Sequence, residues 1–173
     1  MPGQPLPDAE QLLQALTEKL RPDVGPDTAL IGIHTGGVWL AERLHAALDV
    51  KVPLGSLDVS FYRDDFERIG LHRDVKRSNI PFEVEGRPLV LVDDVLYTGR
   101  TIRAAMNELF DYGRPASIRL AALVDRGGRE LPIAAQYVGA TMEVPHEQGV
   151  ELKRDEKGRL QLALYSQSAP DVA

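Results

Sequence analysis

Four apolar residues, Leu89-Val90-Leu91-Val92, lead without a break into Asp93 and Asp94 and then into Val95-Leu96-Tyr97-Thr98-Gly99-Arg100-Thr101. A continuous apolar run of this length reads as a strand buried on both faces. Its expected end at Asp93 sets two carboxylates at the mouth of a small turn that carries hydroxyls and a glycine. From about Thr101 onward Ile102, Ala105, Met106 and Leu109 recur at helical spacing, so the turn lies at a helix N-terminus. There the unpaired N–H groups and the positive dipole end favour a phosphate, Thr98 and Thr101 add hydroxyls, and Gly99 lets the backbone approach closely. A carboxylate accepts hydrogen bonds in several directions, so Asp93 and Asp94 suit the vicinal hydroxyls of a ribose whose 5′-phosphate fills the turn.

The same letters also describe an Asp-rich turn that merely caps a helix. Spelling removes the rival phosphate motifs. A Walker A loop needs Lys followed by Ser or Thr, whereas the five lysines here precede Leu, Val, Arg, Arg and Gly. The dinucleotide fingerprint with its three spaced glycines is missing after this strand.

Other strand-turn-helix signals surround this one. Asp8 is a candidate N-cap for a helix bearing Leu12, Leu13, Leu16 and Leu20, and residues 1–7, rich in proline, are expected to be disordered. Ala29 to Ile33 reads as a buried strand, and His34-Thr35-Gly36-Gly37 as a tight turn into a helix with Leu40, Ala41, Leu44 and Leu48. Leu57, Val59 and Phe61 alternate with polar residues and predict another strand. Residues 62–80 are then dense in charge and poor in apolar material, as in a flexible lid. Gly113 is the expected C-cap of the helix after the phosphate turn. A strand over Ile118–Val124 ends at Asp125-Arg126-Gly127-Gly128-Arg129, and short strands follow at Tyr137–Val138, Val150–Lys153 and Leu160–Tyr165. His45 is expected at the surface, His72 and His146 in loops, and the histidines show no metal-binding spacing. Alternating strands and helices predict an α/β domain with a parallel sheet, ligands gathering at the carboxyl ends of its strands.

At 173 residues a single domain, 1–173, suffices. Residues 1–7 lack the basic region and apolar core of a signal peptide, so none is expected there, and zero cysteines exclude thiolate catalysis and fit a cytoplasmic address. A net charge of −6 argues against broad nucleic-acid affinity, because neutralising phosphates drives such binding.

The 92–101 segment resembles the 5-phosphoribosyl-1-pyrophosphate (PRPP) motif of the type I phosphoribosyltransferases. With Ser60-Phe61-Tyr62-Arg63-Asp64-Asp65, Leu123-Val124-Asp125-Arg126-Gly127 and Arg129-Glu130-Leu131-Pro132-Ile133 in order, the chain from about Leu12 to Tyr165 is similar to the PyrR family. That family comprises bacterial pyrimidine-operon regulators that are also uracil phosphoribosyltransferases. The resemblance implies the type I phosphoribosyltransferase fold, a parallel sheet flanked by helices with a small C-terminal hood built from residues 125–165. It implies transfer from PRPP to uracil, giving UMP and pyrophosphate, with Mg²⁺ as cofactor, and a homo-oligomer, dimer or higher. Asp93, Asp94 and Arg63 would be catalytic, the two aspartates reaching Mg²⁺ from its outer shell or through ribose and Arg63 touching pyrophosphate. His34, Thr35, Gly36 and Gly37 would form the pyrophosphate loop, with a non-proline cis peptide, while Val95 through Thr101 hold the 5′-phosphate. Many relatives carry Arg where Gly36 stands, so His34 or a lid arginine would have to supply that charge. Asp125 and Arg126 would meet the base. Pyrimidine-operon leader RNA is the implied macromolecular partner, contacted through Arg126 and Arg129; Gly128 and Ala134, where relatives are more basic, predict weak binding. An RNA attenuator with little enzyme activity, or a transferase for another base, are the alternatives.

Overall fold

The computed structural model describes residues 5–59 and 78–167. Its elements are α1 (Ala9–Leu20), β1 (Ala29–Ile33), α2 (Gly36–Ala47), β2 (Gly55–Leu57), β3 (Pro88–Leu96), α3 (Arg100–Phe110), β4 (Ser117–Asp125), β5 (Tyr137–Thr141), β6 (Gln148–Arg154) and β7 (Leu160–Ser166). Strands β1 to β5 form one sheet in the order β2-β1-β3-β4-β5 with every pair parallel, and β6 and β7 form a separate antiparallel hairpin. Because the chain runs outward from β1 to β2 and then crosses back past β1 to β3, a crevice opens at the carboxyl ends of β1 and β3.

Two apolar layers clamp the sheet. Leu13, Leu16 and Leu20 of α1 and Leu40, Ala41 and Leu44 of α2 pack on Val90, Val92, Ala121 and Leu123. On the opposite face Ile102, Ala105 and Leu109 of α3 pack on Ile31, Leu89, Leu91 and Ala122. Truncating a fully buried side chain such as Leu16 to Ala leaves a void at a cost of about 2–5 kcal/mol. As expected, Asp8 caps α1, its Oδ1 accepting from the Glu10 N–H at 2.9 Å.

Several expectations need correction. The strand expected to end at Asp93 continues to Leu96, because β4 keeps pairing with it through Val95↔Val124 and Leu96↔Asp125. Both aspartates therefore stand inside the sheet rather than beyond it. Side-chain alternation breaks at that level: Val90 and Val92 share the α1–α2 layer with Val95, whereas Leu96 joins the other. The strand through Leu57, Val59 and Phe61 shrinks to Gly55–Leu57, since its partner β1 ends at Ile33. Val59 is buried outside any strand, and Phe61 lies outside the described residues. Helix α3 stops at Phe110 with Asp111 as C-cap, its last turn tightened by Asp111 N–H to Glu108 O (3.1 Å) and Tyr112 N–H to Leu109 O (3.0 Å), so Gly113 serves the following turn instead. Residues 125–165 divide: β5 joins the main sheet against β4, and the β6–β7 hairpin forms its own two-stranded sheet, with Leu152 and Leu160 packed into the α1–α2 layer. His45 is half-buried, its Nε2–H donating to Val52 O at 2.8 Å.

Candidate functional site

Three turns meet at the carboxyl edge of the sheet, following β1, β3 and β4. In the β3 turn Gly99 is the N-cap of α3 at φ +95°, a left-handed conformation that costs glycine nothing and strains any other residue. The Thr98 hydroxyl accepts from the Arg100 N–H at 3.2 Å. Later first-turn N–H groups have no acceptor within a helix and point out of its end, the arrangement that binds anions.

The back of this turn is held by a segment remote in sequence. Leu96 O accepts from the Arg126 N–H (3.1 Å), and Thr98 O from the N–H groups of Glu130 (2.9 Å) and Leu131 (3.2 Å). Between them Tyr97 O accepts from Arg129 Nη1 at 2.7 Å. Ile133 closes the underside, so that a Cβ at Gly99 would lie 3.0 Å from its Cγ1. Three successive carbonyls are thus drawn backward, which leaves the amide side of the turn to face the crevice.

The β1 turn is built differently. The His34 N–H donates to Leu57 O at 2.9 Å, the His34–Thr35 peptide is cis as the family resemblance implied, and α2 begins at once at Gly36. A Cβ on Gly36 would collide with Asp94 Oδ2, and one on Gly37 with Val92 O. Helix α2 therefore abuts β3 because neither residue has a side chain. Residue 36 brings no charge of its own, and its near neighbour is the carboxylate of Asp94.

Asp93 and Asp94 are buried, at 3% and 9% exposure. Each turns one oxygen to the next backbone amide, Asp93 Oδ1 accepting from Asp94 N–H at 2.9 Å and Asp94 Oδ1 from Val95 N–H at 2.8 Å. Among the described residues no three His, Asp or Glu side chains converge as a metal cage. A divalent ion here would take most of its oxygens from a substrate, with these carboxylates beside it.

The β4 turn holds the side chains expected at the base and on RNA, and their bonds run inward. Arg126, 7% exposed, donates to Gln148 O (2.9 Å), Pro145 O (3.3 Å) and Val144 O (3.4 Å), with its guanidinium 3.9 Å from the Tyr97 ring centroid. Its buried Nε has no partner. Arg129 holds Asp125 Oδ2 at 2.5 Å and Ile133 O at 2.8 Å as well as Tyr97 O. Burial pushes the Asp125 carboxyl up, but the Arg129 guanidinium and the Gly127 N–H outweigh it and bring the group below the ordinary carboxylate range. Tyr97 also meets the hood loop, its hydroxyl 3.2 Å from Nδ1 of the exposed His146.

Arg63 lies outside the described residues, as do Asp64, Asp65 and His72. The chain leaves and re-enters at one place: Ser56 and Asn79 exchange backbone bonds of 2.8 Å each, and the Asp58 N–H donates to Ser78 Oγ at 3.1 Å. Sequence reasoning missed the service that Arg129, Glu130, Leu131 and Ile133 give to the β3 turn. No local periodicity could carry it, because the partners lie some thirty residues apart.

The phosphoribosyl transferase domain family matches residues 5–154. A bifunctional protein PyrR from Nitrosococcus oceani is 57% identical over 140 residues, covering 79% of this chain and 79% of that protein. Another, from Pseudomonas savastanoi pv. phaseolicola, is 50% identical over 161 residues, or 91% of this chain and 95% of its own. A hypoxanthine-guanine phosphoribosyltransferase from Bacillus anthracis, 21% identical, superposes with a TM-score of 0.64 over 81% of this chain and 84% of its own, which establishes likeness of fold.

Proposed function

The chain belongs to the PyrR family of phosphoribosyl transferases, and from that premise we propose that it joins uracil to the ribosyl group of PRPP, releasing pyrophosphate and forming UMP. The observation that carries the reading is the juxtaposition, at one sheet edge, of an anion-binding helix start, two buried carboxylates and a second glycine turn. The 5′-phosphate sits on the α3 N-terminus against Thr98, Gly99, Arg100 and Thr101. Asp93 and Asp94 face the ribose, where they hold its hydroxyls and favour the positive charge that develops at C1 as the pyrophosphate bond lengthens. Pyrophosphate leaves over His34 to Gly37. Mg²⁺ bound to the substrate's oxygens supplies charge neutralisation there, and with an acid rather than a cation next to residue 36 that supply, together with Arg63, matters more.

Asp125 and Arg126 shape the base pocket as scaffolding, their side chains being engaged within the fold. Assaying the purified protein with PRPP and Mg²⁺ against uracil, orotate, hypoxanthine and adenine tests the proposal. Turnover of uracil alone is expected; preference for another base overturns it.

RNA binding is the second reading. Arg126 and Arg129 donate to protein acceptors, and each phosphate contact forgone lowers affinity across sequences. We expect weak binding of pyrimidine-operon leader RNA at near-physiological salt. Nanomolar binding strengthened by UMP, in a filter assay, would make regulation the principal role.

A further inference from the structure

We infer that Arg129 is the positioning residue of the 5′-phosphate turn, a guanidinium that sets the turn from behind. This rests on the phosphoribosyl reading of the site. The guanidinium binds three acceptors from three places: Tyr97 O at the end of β3, Asp125 Oδ2 at the end of β4 and Ile133 O in the segment beneath Gly99. The planar fork directs Nε, Nη1 and Nη2 outward to the three separated acceptors, whereas a lysine ammonium offers its donors from a single point. Each acceptor bears on the turn. Tyr97 O belongs to the peptide that enters Thr98, the residues after Arg129 donate to Thr98 O, and Ile133 is the wall against which Gly99 packs. The side chain is only 24% exposed, and its carboxylate partner 18%. Remove the guanidinium and Tyr97 O and Ile133 O lose a donor, while the Asp125 carboxylate loses the cation that pairs with it among the described residues and is left to repel the phosphate side of the site.

The distinction from a merely structural arginine lies in which ligand suffers. Among the described residues Arg129 makes no bond to the turn after β1, where the His34 N–H donates to Leu57 O and Gly36 and Gly37 lie close against Asp94 and Val92. A variant with a displaced 5′-phosphate turn should weaken UMP and PRPP while sparing pyrophosphate.

The test compares wild type with Arg129→Gln, Arg129→Lys and Asp125→Asn. Titration calorimetry is run with UMP and, separately, with pyrophosphate and Mg²⁺, steady-state kinetics varies PRPP, and thermal denaturation confirms folding. Arg129→Gln is expected to raise the UMP Kd and the KM for PRPP about tenfold, with the pyrophosphate Kd within about twofold of wild type. Arg129→Lys, which restores the charge and one bond, should recover part of the loss. Asp125→Asn, which keeps the guanidinium but slackens it, should cost about threefold in UMP affinity and provides the reading if Arg129→Gln does not fold. Unchanged UMP affinity in folded Arg129→Gln and Asp125→Asn overturns the inference, as does equal weakening of UMP and pyrophosphate. A wild-type protein that binds pyrophosphate but neither UMP nor PRPP would overturn the proposed function itself, and this inference with it.

Discussion

The two turns proposed to hold phosphate sit side by side and are made by opposite means. The turn after β3 is specified by additions: Arg129, Glu130, Leu131 and Ile133 draw back its carbonyls and wall its glycine. The turn after β1 is specified by omissions, since Gly36 and Gly37 let α2 come down on Val92 and Asp94. A turn of the first kind resists distortion because several bonds must break together; one of the second kind depends on every side chain that is not there. The difference matches the two groups proposed for them. The 5′-phosphate stays in place through the reaction and suits a rigid cradle, whereas pyrophosphate must leave.

The harshest way to break this comparison is Gly99→Val. A β-branched residue at φ +95° is strained, and its Cβ runs into Ile133. UMP affinity should fall at least about a hundredfold by calorimetry, or some 2.8 kcal/mol; unchanged affinity in a folded protein would place the phosphate elsewhere. Gly36→Ala probes the other turn. The added methyl displaces Asp94 Oδ2, so kcat/KM for PRPP should drop about thirtyfold, with UMP binding weakened far less. If both ligands suffer equally, the turns are not independent. Asp94→Asn keeps the shape and removes the charge, and a loss of at least about tenfold in kcat/KM, near 1.4 kcal/mol, is expected.

A smaller effect sharpens the account of the cradle. The Asp125 carboxyl is lowered in the folded state, so its contribution to stability is present above the ordinary carboxylate range and disappears as pH falls through the lowered value. The gap in Tm between wild type and Asp125→Asn should be widest near pH 7 and shrink as pH falls below the ordinary carboxylate range. A gap that grows on acidification contradicts the assignment. Smallest of all is Tyr97→Phe, which removes the contact to His146 but leaves the ring under Arg126; kcat/KM should stay within about twofold.

Much of this was legible locally. The apolar run into Asp93 and Asp94, the glycine turn and the amphipathic start of α3 lie within a dozen residues, and short-range pattern is what periodicity reports. The strand over Ala29–Ile33 and the cap at Asp8 were equally plain. Reading went astray where a partner at long range decides. Strand β3 outlasts its apolar run because β4 pairs with it beyond Asp93, and β2 falls short because β1 has already turned away. The short strand at Tyr137–Val138 reads alone as a hood element; it runs on to Thr141 and becomes the fifth strand of the main sheet only because β4 offers it an edge.

By itself the sequence determined which chemistry is present: two carboxylates, hydroxyls and glycines at a strand-to-helix junction, in an order of motifs that points to one family. Tertiary structure alone decided what each charged side chain serves. Arg126 and Arg129 carry the same charge whether they face RNA, a base or the protein, and only the positions of Gln148, Tyr97 and Ile133 turn them inward. The backbone carbonyls that capture those guanidinium groups are common to every residue, so no residue type in the sequence could announce them.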